Sequence, residues 1–361
     1  MNDDPGLASW LQLTLTPGLG SSTVRSLLAR FGLPENVLAA PREQLEGIAG
    51  PAAAAQLRAE RSAQVERALQ WAEQPGHALV TLADAIYPRL LLEIADPPPL
   101  LYAVGRLELL AQPALAVVGS RNATAQGVRD AEQFARAFSE AGLAIVSGLA
   151  QGIDAAAHRG GLAGRGSTIA VLGTGVDVVY PRQNAALAAR IAEAGLLLSE
   201  FPLGTEGVAK NFPRRNRLIS GLAQGCLVVE AAIASGSLIT ARAAVDQGRE
   251  VFALPGSIHS PLSKGNHALI KQGAKLVESA EDVLSELGAF RRTASASTRA
   301  RAQDDADAGA VLPHMGYDPV DLDSLCARAG LPVEQVSAEL LRLELAGRVA
   351  ALPGGRYQRL S

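Results

Sequence analysis

The residue types best suited to hold an anion sit together in the segment Ala114–Thr124, which reads ALAVVGSRNAT. Its apolar half, Ala114 to Val118, has the pattern of a short buried strand, and Ala123 or Thr124 is placed to open a helix. Between them lie Gly119, Ser120 and Arg121. In an open parallel sheet, ligands sit at the carboxyl ends of strands. A helix N-terminus adds free N–H groups and a positive dipole end. Gly119 would let the backbone approach closely. Ser120 would offer a hydroxyl, and Arg121 a planar fork for phosphate oxygens. The same residues also suit an ordinary strand-to-helix turn with a surface arginine.

A second concentration of chemistry is Lys210-Asn211-Phe212-Pro213-Arg214-Arg215-Asn216-Arg217. An exposed aromatic among cations is a stacking platform for an unpaired base, worth about 1–3 kcal/mol per base. Arg214, Arg215 and Arg217 are expected at the start of a helix, where they oppose the dipole and an anion would relieve the conflict. The alternative is a solvated basic loop with Phe212 tucked into the core. Lys264 and Asn266 could extend a phosphate track or be plain loop residues. Asp154 and His158 are spaced i,i+4 on a presumptive helix. They suit a structural or site-orienting pair better than a catalytic dyad, because no nucleophile motif lies nearby. Further punctuation occurs at Gly173–Asp177 running on to Tyr180-Pro181 and Asn184, at Ser199–Gly204, and at Glu230 with Ser235–Thr240. There is no GxxxxGK[ST], GxSxG or HExxH motif, and the five histidines form no metal set. No metal or cofactor is expected, and binding without turnover fits better than catalysis.

The elements that must position these residues read as an α/β alternation over residues 76–288. Apolar runs fall at Leu79–Leu82, Leu100–Val104, Leu115–Val118, Leu143–Val146, Thr168–Leu172, Leu196–Leu198, Cys226–Val229, Val251–Leu254 and Lys275–Val277. Helical patterns separate most of them. Runs apolar on both faces suit parallel strands covered by helices on each side, in an extended doubly wound sheet.

Residues 1–75 read as helical, with Pro17-Gly18-Leu19-Gly20 ahead of candidate caps Ser21 and Ser22. PGLG before a helix is similar to the hairpin of helix-hairpin-helix modules. Six basic against eight acidic residues there favour packing or partner docking over a DNA grip. Residues 289–312 carry four Arg then three Asp among small polar residues, the composition of a flexible linker. Residues 313–361 follow a helix–turn–helix–hairpin pattern, that of a winged helix. Five basic against six acidic residues favour a protein-contact or regulatory role there over duplex readout.

The whole chain has 361 residues, is 48% hydrophobic with 4% aromatic, and carries a net charge of −3, so any nucleic-acid site must be local. The two cysteines, Cys226 and Cys326, suggest neither a metal site nor a disulfide framework. No apolar run approaches the ~18 residues that span a membrane. The expected setting is the cytoplasm.

The order of these motifs resembles the DNA-processing protein A family, also called Smf (DprA/Smf). The stretches that carry it are AVVGSRNAT, SGLAQGIDAAAHRGGL, TIAVLGTGVDVVYPRQN, LLSEFPLGT, NFPRRNRLISGL, VVEAAIASGSLITA, GREVFALPGS and KGNHALIKQGA, over about residues 114–274. The resemblance implies an extended Rossmann domain that binds single-stranded DNA, forms homodimers, and hands the strand to the RecA recombinase, chiefly in natural transformation. It implies an accessory N-terminal helical domain (SAM or helix-hairpin-helix-like) and a C-terminal winged helix. Carried over by position, it makes Gly119, Ser120 and Arg121 the phosphate pocket. Lys210, Asn211, Phe212, Arg214, Arg215, Asn216 and Arg217 would line the strand, with the aromatic taking a base. Polar or basic residues after the Tyr180-Pro181 pair are also expected to help, although Asn184 is followed only by Ala185 and Ala186. Two rivals remain. One is a phosphoribohydrolase-like nucleotide enzyme, whose PGGxGT-type loop and catalytic Glu find only EAAIASGSLITA here. The other is an adaptor that works through its end domains.

Overall fold

The computed structural model describes residues 5–57, 62–288, 311–315, 319–345, 347–352 and 354–360. Six helices open the chain: α1 (Pro5–Leu15), α2 (Ser21–Phe31), α3 (Pro34–Ala39), α4 (Arg42–Ala49), α5 (Pro51–Leu57) and α6 (Ala63–Ala72). The central body then runs β1 (His77–Thr81), α7 (Arg89–Leu92), β2 (Leu100–Gly105), β3 (Ala114–Val118), α8 (Ala125–Glu140), β4 (Ala144–Ser147), α9 (Ile153–Ala163) and β5 (Thr168–Val171). It continues through α10 (Ala185–Ala194), β6 (Leu196–Ser199), α11 (Asn211–Gly221), β7 (Gly225–Val228), α12 (Ser237–Asp246), β8 (Glu250–Ala253), α13 (Lys264–Lys271), β9 (Lys275–Leu276) and α14 (Ala280–Glu286). The last body holds β10 (Val320–Asp321), α15 (Leu322–Ala329), α16 (Val333–Leu345), β11 (Val349–Leu352) and β12 (Arg356–Arg359).

Each apolar run named above is a strand, and all nine join one sheet in the order β1-β2-β6-β5-β4-β3-β7-β8-β9. From β6 to β9 the neighbours are parallel. The expectation of parallel pairing fails at one edge, where β1 pairs β2 and β2 pairs β6 antiparallel. The connection from β1 to β2, residues 82–99, carries the four-residue helix α7 and brings the chain back alongside the strand it left. Side chains alternate across the sheet. Ala116 and Val118 face the core shared with α11, α12 and α13, whereas Leu115 and Val117 face the core shared with α8 and α9. Small and β-branched residues leave the helices close to both faces. The chain winds from β3 outward to β6, then returns to place β7 on the other side of β3. That reversal opens a crevice beyond the carboxyl ends of β3 and β7, the general ligand position in such sheets.

The N-terminal helices divide between two cores. Leu13, Val24, Leu27, Val37, Leu45 and Leu57 form a cluster of their own. Trp10 and Leu11 of α1, with Val65, Ala68 and Trp71 of α6, instead pack on Tyr102, Leu149, Ala170 and Leu197 of the sheet body. Ser21 and Ser22 are not the caps: α2 begins at Ser21 with Gly20 as its N-cap and no side-chain cap bond. The Leu19–Gly20–Ser21 end of the hairpin borders a cavity of about 170 Å³ with Pro98, Pro99 and Arg214, so it faces the central body.

Residues 289–310, most of the expected linker, lie outside the described residues. Val311 and Leu312, also assigned to it, are buried in the C-terminal core with Leu325, Val336 and Leu340. That body has the expected helix–turn–helix and a sheet ordered β10-β12-β11, with Asp321 capping α15 through Ser324 N (2.8 Å). It touches α8, where Gln126 Nε2 donates to Leu360 O at 3.4 Å.

Because α1 and α6 complete the core over β2, β5 and β6, a chain starting at residue 76 should be destabilised and self-associate. Urea unfolding with sedimentation of the 76–361 fragment checks this. A monodisperse fragment with an unshifted midpoint contradicts the shared core.

Candidate nucleic-acid interface

Gly119 and Ser120 leave β3 in a tightly held turn. Ser120 N donates to Glu230 O (2.7 Å), Ser120 O accepts from Ile153 N (3.2 Å), and Asn122 N donates to Ser120 Oγ (3.2 Å). A side chain at Gly119 would place its Cβ 2.6 Å from Ile153 Cγ1. Its glycine therefore serves packing inside the protein first. The helix that follows opens later than the turn. Thr124 is the N-cap of α8, its hydroxyl accepting from Gly127 N (2.9 Å). The carboxylate of Glu230 accepts from Thr124 N (2.9 Å) and Thr124 Oγ1 (2.5 Å). The chain's own acid thus occupies the anion position expected at this helix N-terminus.

Arg121 remains outside that arrangement. It is exposed, and among the described residues no carboxylate pairs with it. Its Cζ stands 5.7 Å from the centroid of the Phe212 ring, within cation–π range. Tyr180 lies 5.3 Å from Phe212, its ring tilted 36°. Phe212 also leans on Gly173, where a Cβ would come within 2.7 Å of its Cδ1. Two clefts meet at this stack. The larger, about 800 Å³, runs past Ser120 and Asn122 to Ser235, Ser237 and Ile239. The smaller, about 420 Å³, runs past Gln151, Arg182 and Gln183. Arg121, Tyr180, Phe212 and Arg215 line both.

Helical spacing sorts the basic run. Phe212, Arg215, Asn216 and Ile219 lie on the face of α11 turned to the clefts. Arg214 and Arg217 lie on the other face and both reach Glu200 Oε2, at 3.0 Å and 2.5 Å, with Asp96 Oδ2 3.5 Å from Arg217. They are anchors, and they do not line the clefts as expected. Asn211 is buried, and Lys210 is exposed at the helix start, outside both cleft linings. Lys264 donates through Nζ to Ile258 O and also lies outside the linings. Asn266 is no phosphate ligand. Its Nδ2 donates to Val228 O, Val229 O and Leu254 O at 2.9–3.0 Å, tying the ends of β7 and β8.

Arg215 is the floor of the site. It is 4% exposed and its Nη1 donates to Gly148 O (2.8 Å) and to Val171 O. Burial lowers its pKa to about 10, against the pull of Asp154, so it stays cationic at neutral pH. Asp154 and His158 do not pair with each other. Asp154 accepts from Gly148 N (3.1 Å) and Ala150 N (3.4 Å), and burial raises its pKa against the pull of Arg215. His158 Nε2 accepts from Leu149 N (3.2 Å), so its proton sits on Nδ1, facing Thr168 Oγ1 at 2.7 Å. Asn184, named after the Tyr180-Pro181 pair, donates to Leu149 O and Ala150 O. The polar residues that reach a cleft from that segment are Arg182 and Gln183. Both are of the polar or basic kind expected after the Tyr180-Pro181 pair, whereas Tyr180 itself is an addition to the expected contacts.

Burial pushes the His158 pKa down to about 3. An unfolded histidine titrates near ~6.5, so between these values the unfolded chain binds the extra proton and stability falls as pH drops. Between pH 7.5 and 5 this group should remove about 2 kcal/mol. Urea titrations at the two pH values check it: His158→Gln should lose less stability on acidification than the unmutated chain. An equal loss contradicts the neutral buried imidazole.

Among the described residues, no helix is long and apolar enough to cross a membrane, and no group of three or more His, Cys, Asp or Glu could hold a metal. The family model for DNA recombination-mediator protein A matches residues 78–288, and the DprA winged helix domain matches residues 295–355. Protein Smf of Escherichia coli is 46% identical over 82% of this chain and 81% of its own length. The DNA processing protein DprA of Streptococcus pneumoniae is 50% identical over 57% of this chain and 73% of its own. A solved structure of DprA from S. pneumoniae superposes with a TM-score of 0.69 at 40% identity, over 77% of this chain and 97% of that one. A structure of DNA processing protein A from Helicobacter pylori, described for its single-stranded DNA binding mode, covers 58% of this chain and 95% of that one, with a TM-score of 0.53 at 30% identity. With a doubly wound sheet, a switch-point cleft and a winged helix in this order, the chain belongs to the DNA recombination-mediator protein A family, and its role lies in DNA processing and recombination.

Proposed function

We propose that this protein binds single-stranded DNA in the paired clefts and delivers it to the RecA recombinase, chiefly in natural transformation. The observation that carries this is Arg121, with which no carboxylate pairs among the described residues, beside the Phe212–Tyr180 aromatic pair at the switch point of the sheet. A cation and aromatic rings side by side suit a ligand that alternates phosphates with exposed base faces. A duplex hides those faces, and a free anion has none. The described binding mode of the H. pylori relative supports the same ligand class.

The strand backbone would pass Ser120, Arg121 and Arg182, with Lys210 at the rim and a base against Phe212. Contacts to phosphates and ring faces give little sequence preference. The protein would act without catalysis, in the cytoplasm, as a homodimer joined through the central domain. A non-catalytic role is supported by Glu230, whose carboxylate is committed to Thr124. RecA loading needs the strand released along its length, which suits a shallow, side-chain-based grip. An order-of-magnitude count of about four neutralised phosphates gives a log–log salt slope near ~−3.

Fluorescence anisotropy with a short oligo-dT tests the assignment. Arg121→Ala should weaken binding at least ~10-fold and flatten the salt slope by about one. Phe212→Ala should cost about 1–3 kcal/mol. Arg214→Ala, on the Glu200 side of α11, should leave affinity unchanged. Binding indifferent to Arg121 and Phe212 would move the strand off this cleft. RecA filament growth on strand coated with single-strand-binding protein, with and without this protein, tests the delivery step. Sedimentation tests the dimer.

A further inference from the structure

Two contacts assigned to the strand are in conflict in the free protein. Arg121 is the phosphate cation and Phe212 the base platform, yet the guanidinium stands over that ring, 5.7 Å from its centroid. The rest of the ring is held by Gly173, where a Cβ would come within 2.7 Å, and by the tilted Tyr180 ring at 5.3 Å. Arg121 and Phe212 line both clefts, so a base that stacks on the ring face beneath the guanidinium must displace it. Arg121 has no carboxylate among the described residues to hold it elsewhere. The cap is its resting place.

We infer that Arg121 sets the ligand selectivity of this site: it covers the stacking face of Phe212 until a phosphate draws the guanidinium away. The ring then accepts bases that arrive on a phosphodiester backbone and rejects free nucleosides. This rests on the single-stranded DNA reading above. A charge-assisted, bidentate bond to phosphate outweighs a cation–π contact at an exposed position. A neutral nucleoside offers no such exchange and must displace the cation with stacking alone. Phosphate and base contacts are thereby coupled through one side chain. The planar guanidinium suits both partners, whereas an ammonium matches neither geometry as well.

The experiment uses the full chain at low salt, where weakened affinities remain measurable. Anisotropy is read with a labelled dT oligomer and with an abasic oligomer of the same length. The base gain is the ratio of the abasic Kd to the dT Kd. Arg121→Ala should weaken both ligands, yet its base gain should rise by about five-fold, because the ring no longer has to be uncovered. Phe212→Ala should bring the base gain to about one in either background, since stacking then has no platform. Arg121 is exposed, so a matching melting temperature will show that its variant is folded. A base gain that stays level or drops in Arg121→Ala removes the cap alone, and means that the arginine instead stacks on the bound base. A base gain of one already in the unmutated chain, with Phe212→Ala silent, removes the stacking reading and the cap with it.

Discussion

The site depends on one buried charge. Arg215 enters the interior from α11 and closes on Gly148 O and Val171 O, the backbone at the ends of β4 and β5. Hydrogen bonds and the nearby Asp154 carboxylate offset the cost of taking a guanidinium out of water. Gly148 makes room for both groups: a Cβ there would lie 2.5 Å from the guanidinium and 2.8 Å from the Asp154 carboxylate. This clamp fixes the rotation of α11 about its axis. Rotation in turn decides which side chains of the basic run reach the crevice. With Arg215 pointing down, Phe212 and Asn216 border the clefts, and Arg214 and Arg217 swing to Glu200. The cation that shapes the site is therefore a different one from the cation free to meet a ligand.

Much of this was legible in the sequence, for identifiable reasons. The inner strands of the large sheet stand out because both of their faces are buried, leaving short, mostly apolar runs, whereas the edge strands β1 and β9 are only partly buried or exposed. The strand-to-helix turn at Gly119–Arg121 was readable because an apolar run stops there at glycine and serine ahead of a helical pattern. Strand direction at the β1–β2 edge was not readable, because pairing sense depends on connection geometry and leaves no mark in side-chain type. The basic run forms one patch in sequence, yet 3.6-residue spacing divides Phe212, Arg215 and Asn216 from Arg214 and Arg217. Nor does the sequence join Glu200 to Arg214 and Arg217, or Glu230 to Thr124. Those pairs form only once α11 and β7 are in place. Asn266 stayed open for a related reason: a buried asparagine that ties strand ends and an exposed one that binds phosphate can have the same neighbours in sequence.

The end regions follow the same division. The apolar spacing of α16 revealed its core face, Val336, Leu340 and Leu343. Its exposed positions include Glu334, Leu341, Glu344 and Leu345, and its one arginine, Arg342, is paired with Glu339 at 2.8 Å, a surface poor in the cations that duplex phosphates require. At the other end, two tryptophans mark where the N-terminal helices join the central core. Trp71 contacts Tyr102 edge-on at 5.7 Å, so the boundary expected near residue 75 is a change of secondary structure within a shared core.

The fate of the α8 N-terminus explains why the free cation stands where it does. In doubly wound folds a helix N-terminus beside the switch point is a ready place for a small anion. Here Glu230 fills it, and a Cβ on Gly127 would collide with that carboxylate at 2.3 Å, so the fit leaves no room for another group. The positive potential available to a ligand moves outward to side chains on the rim, above all Arg121. Rim cations hold an anion less tightly than a buried nest does, because solvent screens them. They suit a ligand that gathers many weak contacts along its length and lets go one contact at a time. A polymer meets that description and a mononucleotide does not. Filling the fold's usual phosphate seat with its own carboxylate therefore leaves exposed side chains, and not the backbone amides of α8, to meet an anion.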